Sequence, residues 1–265
     1  AHAARVTGDV RYGDFAARTW RVMKARFRDD LGGFRRRAGR DWRDPQGNSQ
    51  NPMMHLFEAL LTLHDATGDE TVLADAKELA EFIFTKLYRA DGGYLPESYR
   101  PDWTPLGANE GGYVDLGHQF EWAYLLSWAV EKGFDKRYLD IATKLLDFGM
   151  TYGFDGEAGG IFGASAYDGT VRGRSKGWWQ QAEHLRALMR HAGRHGRDDL
   201  WPAFDASLAF VKAHLMDAEH GGWYGSYDPA KPRGAAQMGK GTVWKTGYHT
   251  AGMYVEALKL TGKHP

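Results

Sequence analysis

A Gly-Gly pair followed by a hydrophobic residue recurs at regular spacing along the chain, at Gly32-Gly33-Phe34, Gly92-Gly93-Tyr94, Gly159-Gly160-Ile161 and Gly221-Gly222-Trp223. The intervals are 60, 67 and 62 residues, and about 24 residues before each pair lies a Gly/Asp corner: Gly8-Asp9, Gly68-Asp69, Gly133 with Asp135, and Gly196 with Asp198. A period well above the ~34 residues of a tetratricopeptide unit implies a larger repeated element. Each corner is followed by an amphipathic segment. In the third copy Tyr138, Ile141, Ala142, Leu145, Leu146 and Phe148 recur at helical spacing, with Lys136, Asp140, Lys144 and Asp147 between them. Before each corner lies a more apolar helix, such as Met54 to Thr67 or His118 to Lys132. A helix apolar on most faces is buried, and a one-sided helix covers it. The repeat therefore reads as inner helix, Gly/Asp turn, outer helix, Gly-Gly corner and long loop. Hairpins of this kind, packed side by side, predict an all-α toroid of two concentric helical layers.

The connections are lopsided. The Gly/Asp turns are short, whereas the loops run from Phe34 to Gln50, Tyr94 to Gly117, Ile161 to Gly177 and Trp223 to Gly247. Loops longer than ~12–15 residues in a compact domain are usually functional. Helices alternate in direction, so all four long loops are expected at one end, and the site with them. The inner helices are expected to start near residues 53, 117, 178 and 247. Their openings, NPMMHLFEAL, GHQFEWAYLL, WWQQAEHLRAL and GYHTAGMYVEAL, place His55, His118, Gln180 and His249 at one repeat position. Three residues further on come Glu58, Glu121, Glu183 and Gly252. Residues at i and i+3 share a helix face, so His and Glu form coupled pairs. A single histidine at a helix start is commonly a cap or a satisfied core residue, and a first-turn glutamate complements the helix dipole. Three histidines at one repeat position behind long loops point instead to chemistry. Trp122, Trp128, Trp178 and Trp201 read as core. Trp179 and Trp244, just upstream of Glu183 and His249, read as part of the mouth. His2, His64, His184, His191, His195, His214, His220 and His264 share no repeat position and read as structural. The run Arg35, Arg36, Arg37, Arg40 and Arg43, broken by Asp41 and Asp44, reads as a solvated loop.

Composition narrows the chemistry. With 34 Lys+Arg against 34 Asp+Glu in 265 residues, there is no general phosphate-binding surface, and nucleic acid is not an expected partner. The absence of cysteine removes disulfides, thiolate nucleophiles and Cys-ligated zinc. No stretch reaches the ~20 apolar residues of a membrane span. The opening AHAARVTGD has neither Met nor an apolar h-region, so no signal peptide is expected and a cytoplasmic location is. Aromatic residues at 14% suit a sugar site, because sugars present apolar C–H faces between their hydroxyls.

The motifs NPMMHLFEAL, GHQFEWAYLL, WWQQAE, GGWYGSYD and WKTGYH resemble those of the N-acylglucosamine 2-epimerase superfamily, which includes D-mannose isomerases and cellobiose 2-epimerases. The resemblance runs over essentially the whole chain. It implies an (α/α)6-type toroid formed by residues 1–265 as a single domain, of which about four of six hairpins are present and the N-terminal ones absent. With them goes the family's substrate-contacting arginine. The resemblance further implies proton transfer at C2 of a mono- or disaccharide through a cis-enediol(ate), with no metal and no nicotinamide cofactor. His118 and His249 match the acid/base pair. His55, Asn51 and Glu121 match residues that hold substrate or tune that pair, and Trp179 and Trp244 match aromatics near the sugar ring. Glu183 joins the substrate-binding set from its repeat position. Among these activities, aldose–ketose isomerisation of a hexose such as mannose is favoured, because the NPMMHLFEALLTLHDATGD and GHQFEWAYLL segments read most like mannose isomerases. Three other readings stay open: a 2-epimerase, a glycoside hydrolase or lyase using Glu121 with Glu183, and a non-catalytic sugar-binding module. Paired His and Glu at i, i+3 also resemble di-metal bundle ligands, although no further ligand pattern supports a metal. The oligomeric state is not readable.

Overall fold

The Gly/Asp corners work because their two residues do opposite things. Gly68 takes the left-handed conformation, φ 66°, and its N–H closes on the His64 carbonyl at 2.8 Å, ending one helix. The Asp69 carboxylate then accepts the Thr71 N–H at 2.9 Å and starts the next. In the computed structural model, which describes residues 1–230 and 239–262, these ends delimit α1 (His2–Thr7), α2 (Val10–Phe27), α3 (Gln50–Thr67) and α4 (Glu70–Phe82). A π-turn, Ile83–Leu87, follows α4. The second half contains α5 (Leu116–Glu131), α6 (Arg137–Gly153), α7 (Trp178–His195), α8 (Trp201–His214) and α9 (Tyr248–Leu260). The helix starts lie within about three residues of those expected from the repeat. Among the described residues, no helix is long and apolar enough to cross a membrane.

Two compact units divide the chain. The first comprises Ala1–Asp91 with Leu95–Tyr113, and the second Gly92–Tyr94 with Val114 onward. In the first unit α3 packs against α1, α2 and α4, burying Met53, Met54, Phe57, Leu60 and Leu61. In the second, α7 packs between α5 and α9, with α6 behind α5 and α8 behind α7. The α6 stripe behaves as its spacing predicts: Tyr138, Ala142, Leu145, Leu146 and Phe148 are buried, while Lys136, Asp140, Lys144 and Asp147 are exposed.

Three of the four Gly-Gly corners are organised by an aspartate. Asp29 accepts the backbone N–H groups of Leu31 and Gly33, Asp155 those of Glu157 and Ala158, and Asp217 those of Glu219 and His220. The second carboxylate oxygen reaches into a long loop. Asp29 accepts from Trp103 Nε1 at 2.7 Å, Asp155 pairs with the buried Lys176 ammonium at 2.8 Å, and Asp217 pairs with Lys240. The long loops also pair with one another through two-residue antiparallel strands that the sequence reading did not anticipate. Before α3, β1 (Asn48–Ser49) pairs with β2 (Ser98–Tyr99). Before α5, β3 (Val114–Asp115) pairs with β4 (Ala164–Ser165), and before α7, β5 (Lys176–Gly177) pairs with β6 (Ser226–Tyr227). In the second unit these pairs gather the loops at the N-terminal ends of α5 and α7. Of the last long loop, residues 231–238 lie outside the described residues, as does His264.

Two inner helices differ from the simple expectation. α9 buries only Met253 and Glu256 among its described residues, and leaves Tyr254 and Val255 exposed. α7 is buried continuously from Gln181 to Ala192 although that stretch includes Glu183, His184, Arg186, Arg190 and His191. Its buried histidines do read as structural. His184 Nε2 lies 2.9 Å from Ser207 Oγ, its ring packed edge-on against Phe120, and His191 Nε2 lies 3.2 Å from the Ala123 carbonyl.

Burial pushes His184 down to about 3, and burial, outweighing the bond to Ala123, pushes His191 down to about 4. Unfolding lets both titrate near 6.5. Between those limits the unfolded chain binds more protons, so the stability these residues support is complete above pH ~6.5 and is lost as pH falls towards ~4. Each contributes a slope of about 1.4 kcal/mol per pH unit in that window. Urea unfolding between pH 4.5 and 7.5 should show this decline, and His184→Gln should remove about one proton from the slope. An unchanged slope in the variant would show that His184 takes up its proton without unfolding.

Candidate active site

The site of the second unit is built from the first turns of α5, α7 and α9. Asp115 caps α5 by accepting the His118 N–H at 3.2 Å, which fixes the backbone carrying His118 and, one turn on, Glu121. Both side chains are buried. Gly117 beside His118 has a steric purpose. A Cβ there would stand 2.5–2.9 Å from side-chain atoms of Gln180 and Trp179, so glycine lets the indole of α7 close onto the start of α5. Trp179 then lies between two imidazoles: its ring is 4.8 Å from His118 and 5.3 Å from His249, tilted 39° and 34° to them. Trp178 and Tyr248 approach His249 edge-on at 5.5 and 4.7 Å. Aromatic faces thus fix both imidazoles.

His249 Nδ1 lies 2.8 Å from Glu183 Oε1, and Glu183 Oε2 lies 3.4 Å from Arg186 Nη1. Glu183 is fully buried. Burial alone would raise its pKa, but the Arg186 charge, together with the hydrogen bond and charge of His249, holds it below the ordinary carboxylate value. An ionised carboxylate only accepts, so His249 Nδ1 carries the hydrogen and the lone pair of the neutral ring falls on Nε2. One oxygen each of Glu121 and Glu183 and one nitrogen of His249 lie within 4.8 Å of one another. By number these three could ligate a cation. By orientation, Nδ1 and Oε1 face each other while Arg186 supplies positive charge beside them, an arrangement that can also orient an imidazole for proton transfer.

The expected site residues are thus distributed as follows. His118, Glu121, Trp179, Glu183 and His249 come together in the second unit. Asn51 and His55 occupy the first turns of α3 in the first unit, both half-buried. Trp244 is 88% exposed on the loop before α9, and is not set among the rings around His249. Trp178 is buried in the core as expected, and it is also the second indole at His249. The chain pattern also gave no notice of Arg186 or Tyr124, whose ring lies 3.6 Å beneath the Arg186 guanidinium. An arginine on a buried helix, three residues after a site glutamate, is the signal that would have found it.

The architecture and this histidine–carboxylate constellation place the chain in the helical-toroid class. The family model for N-acylglucosamine 2-epimerase (GlcNAc 2-epimerase) matches residues 1–252, and the chain belongs to that family. A D-mannose isomerase from Marinomonas mediterranea is 30% identical over 230 residues, covering 83% of this chain and 58% of the relative. A mannose-6-phosphate isomerase from Rhizobium meliloti is 33% identical over 177 residues, covering 65% of this chain and 44% of the relative. A crystal structure of a D-mannose isomerase aligns with a TM-score of 0.82 at 26% identity, over 93% of this chain and 66% of that one. The chain therefore spans less than two thirds of the length of each.

The packing around Gly117 is directly testable. Gly117→Ala gains up to ~1 kcal/mol of helix propensity, against ~1–3 kcal/mol for forcing Trp179 and Gln180 aside. A net loss of about 1 kcal/mol, with altered tryptophan emission, is expected in denaturant titrations. A gain in stability would mean that the indole is not held against this backbone.

Proposed function

We propose that the chain carries the catalytic centre of a sugar isomerase or epimerase that moves a proton at C2 of a reducing sugar through a cis-enediol(ate). The observation that carries this reading is the pair of imidazoles on one indole, one of them held by a buried ionised carboxylate. In the open-chain sugar, Nε2 of His249 takes the C2 proton. The C2–H electron pair becomes the C1=C2 bond, and the carbonyl oxygen becomes an enediolate oxygen that receives a hydrogen bond from His118. Return of the proton to C1, with transfer of the C2 hydroxyl proton to the C1 oxygen, gives a ketose. Delivery to the opposite face of C2 by the second imidazole gives the epimer.

Aldose–ketose isomerisation of a hexose such as mannose is the favoured outcome, supported by the similarity to mannose isomerases. Inversion at C2 of an N-acylglucosamine or of cellobiose is the alternative. Glu121 and Glu183 tune the pair in this reading, and Trp179 bears on the sugar ring. Asn51, His55 and Trp244 are included as substrate-holding residues on the family motif.

The test is incubation of the protein with mannose, fructose, glucose, N-acetylmannosamine and cellobiose in deuterated water, followed by NMR at C1 and C2. Label accompanied by a ketose means isomerase, and label in an inverted aldose means 2-epimerase. His118→Ala and His249→Ala should each lower turnover by about 10²–10⁴-fold, the usual contribution of a positioned acid or base. Full activity in either variant, or an inverted aldose formed without solvent label at C2, contradicts the mechanism. Conversion of none of the five sugars contradicts the activity assigned to this chain.

A further inference from the structure

The repeat position that holds Glu58, Glu121 and Glu183 in three inner helices holds Gly252 in the fourth. A Cβ on Gly252 would lie 3.1–3.3 Å from Cζ and both terminal nitrogens of Arg186. The room of the fourth carboxylate is therefore filled by a guanidinium from the neighbouring helix. Arg186 is enclosed on both faces, by the Tyr124 ring at 3.6 Å from α5 and by the Gly252 backbone from α9. Its side chain is 8% exposed, and its Nη1 is aimed at Glu183 Oε2. A buried cation so confined keeps one geometry, and that geometry turns the other oxygen of Glu183 to His249.

We infer that Arg186 is a positioning residue: by occupying the space left by Gly252 it keeps Glu183 ionised and aimed at His249 Nδ1, so that Nε2 of His249 is the base. This rests on the reading of His249 as a proton-transfer residue. The other charged or titratable groups around the pair are His118, Glu121 and Tyr124 on α5, Arg190 on α7, Tyr248 and Glu256 on α9 and Lys245 on the preceding loop. Arg190 and Glu256 pair with each other at 2.9 Å, and the Lys245 ammonium lies over the Trp178 ring at 4.5 Å. Arg186 is the cation that contacts Glu183 directly. Its removal takes a positive charge from beside the Glu183–His249 pair, so the pair holds its last proton more tightly and loses it at higher pH.

The acid limb of the kcat/KM profile should therefore move up by about one pH unit in Arg186→Met, with kcat at neutral pH falling about tenfold and KM changing little. Arg186→Lys, which keeps the charge, should restore the limb at least in part. Gly252→Ala, which crowds the guanidinium while leaving its charge in place, should lower kcat in the same direction. Once Glu183 is replaced by Gln, Arg186→Met should have almost no further effect, because Arg186 acts through that carboxylate. Histidine 15N NMR gives a readout independent of turnover. With its ring neutral, wild type should show the His249 hydrogen on Nδ1 and not on Nε2, and Arg186→Met should shift the ring towards the doubly protonated form. If Arg186→Met, or Gly252→Ala should the first variant not fold, leaves both the acid limb and the 15N signals unchanged, the inference is overturned. Altered 15N signals in a protein that converts no sugar would preserve the role of Arg186 and discard the proposed reaction.

Discussion

α7 is covered by other helices along twelve consecutive residues, Gln181 to Ala192, so its polar side chains must find partners in protein. Burial of an uncompensated polar or charged group is costly, and the arrangement of the second unit follows from avoiding that cost. Gln181 bonds both the N–H and the carbonyl of Ile161, tying the Gly-Gly corner of one hairpin to the next inner helix. His184 meets Ser207 on α8, and Arg190 meets Ser127 on α5 and Glu256 on α9. Glu183 and Arg186 meet each other and reach His249 and Tyr124. The site is the end of this buried network that opens at the helix N-termini.

That origin explains why some features were legible in the sequence and others were not. Corner and cap residues act locally, so Gly68 with Asp69 marks a helix boundary without knowledge of neighbours. His118 and His249 were legible because a repeat that is constant in geometry puts equal positions at equal depth. The strands were not: two residues provide no alternation to detect, and the short Ser-Tyr and Ala-Ser segments declare themselves only when paired with the loop before an inner helix. α7 contradicted the expectation of an apolar inner helix because a hydropathy pattern counts polar residues as exposed, whereas here they are buried and bond to groups on neighbouring helices. Trp244 shows the same limit. Adjacency in sequence to a site residue does not fix which way an indole points.

The corner aspartates apply the same economy at the loops. One oxygen of Asp155 accepts two N–H groups of its turn, and the other holds Lys176, which also donates to the Gly159 carbonyl at 2.6 Å. One carboxylate thus closes a turn and clamps the loop that leads into α7. Asp29 and Asp217 divide their oxygens in the same way, between their own turn and Trp103 or Lys240. At three of the four repeats, loops long enough to be flexible are tied by a group the repeat already carries, which helps to keep the first turns of the inner helices in register.

The two imidazoles are nevertheless not equivalent, although the repeat places them at one position. His118 is carried by a helix start capped by Asp115, and is 5% exposed with its ring on Trp179. His249 is carried by α9, the least buried inner helix described, and its ring is oriented by the Glu183 carboxylate and by three aromatic rings. The Glu183 carboxylate at Nδ1 fixes the direction of the ring, and Arg186 behind that carboxylate fixes the direction of Glu183. Within the proposed reaction His118 is then the partner at oxygen, and the asymmetry follows from one departure from the repeat, the glycine at position 252 that leaves space for Arg186.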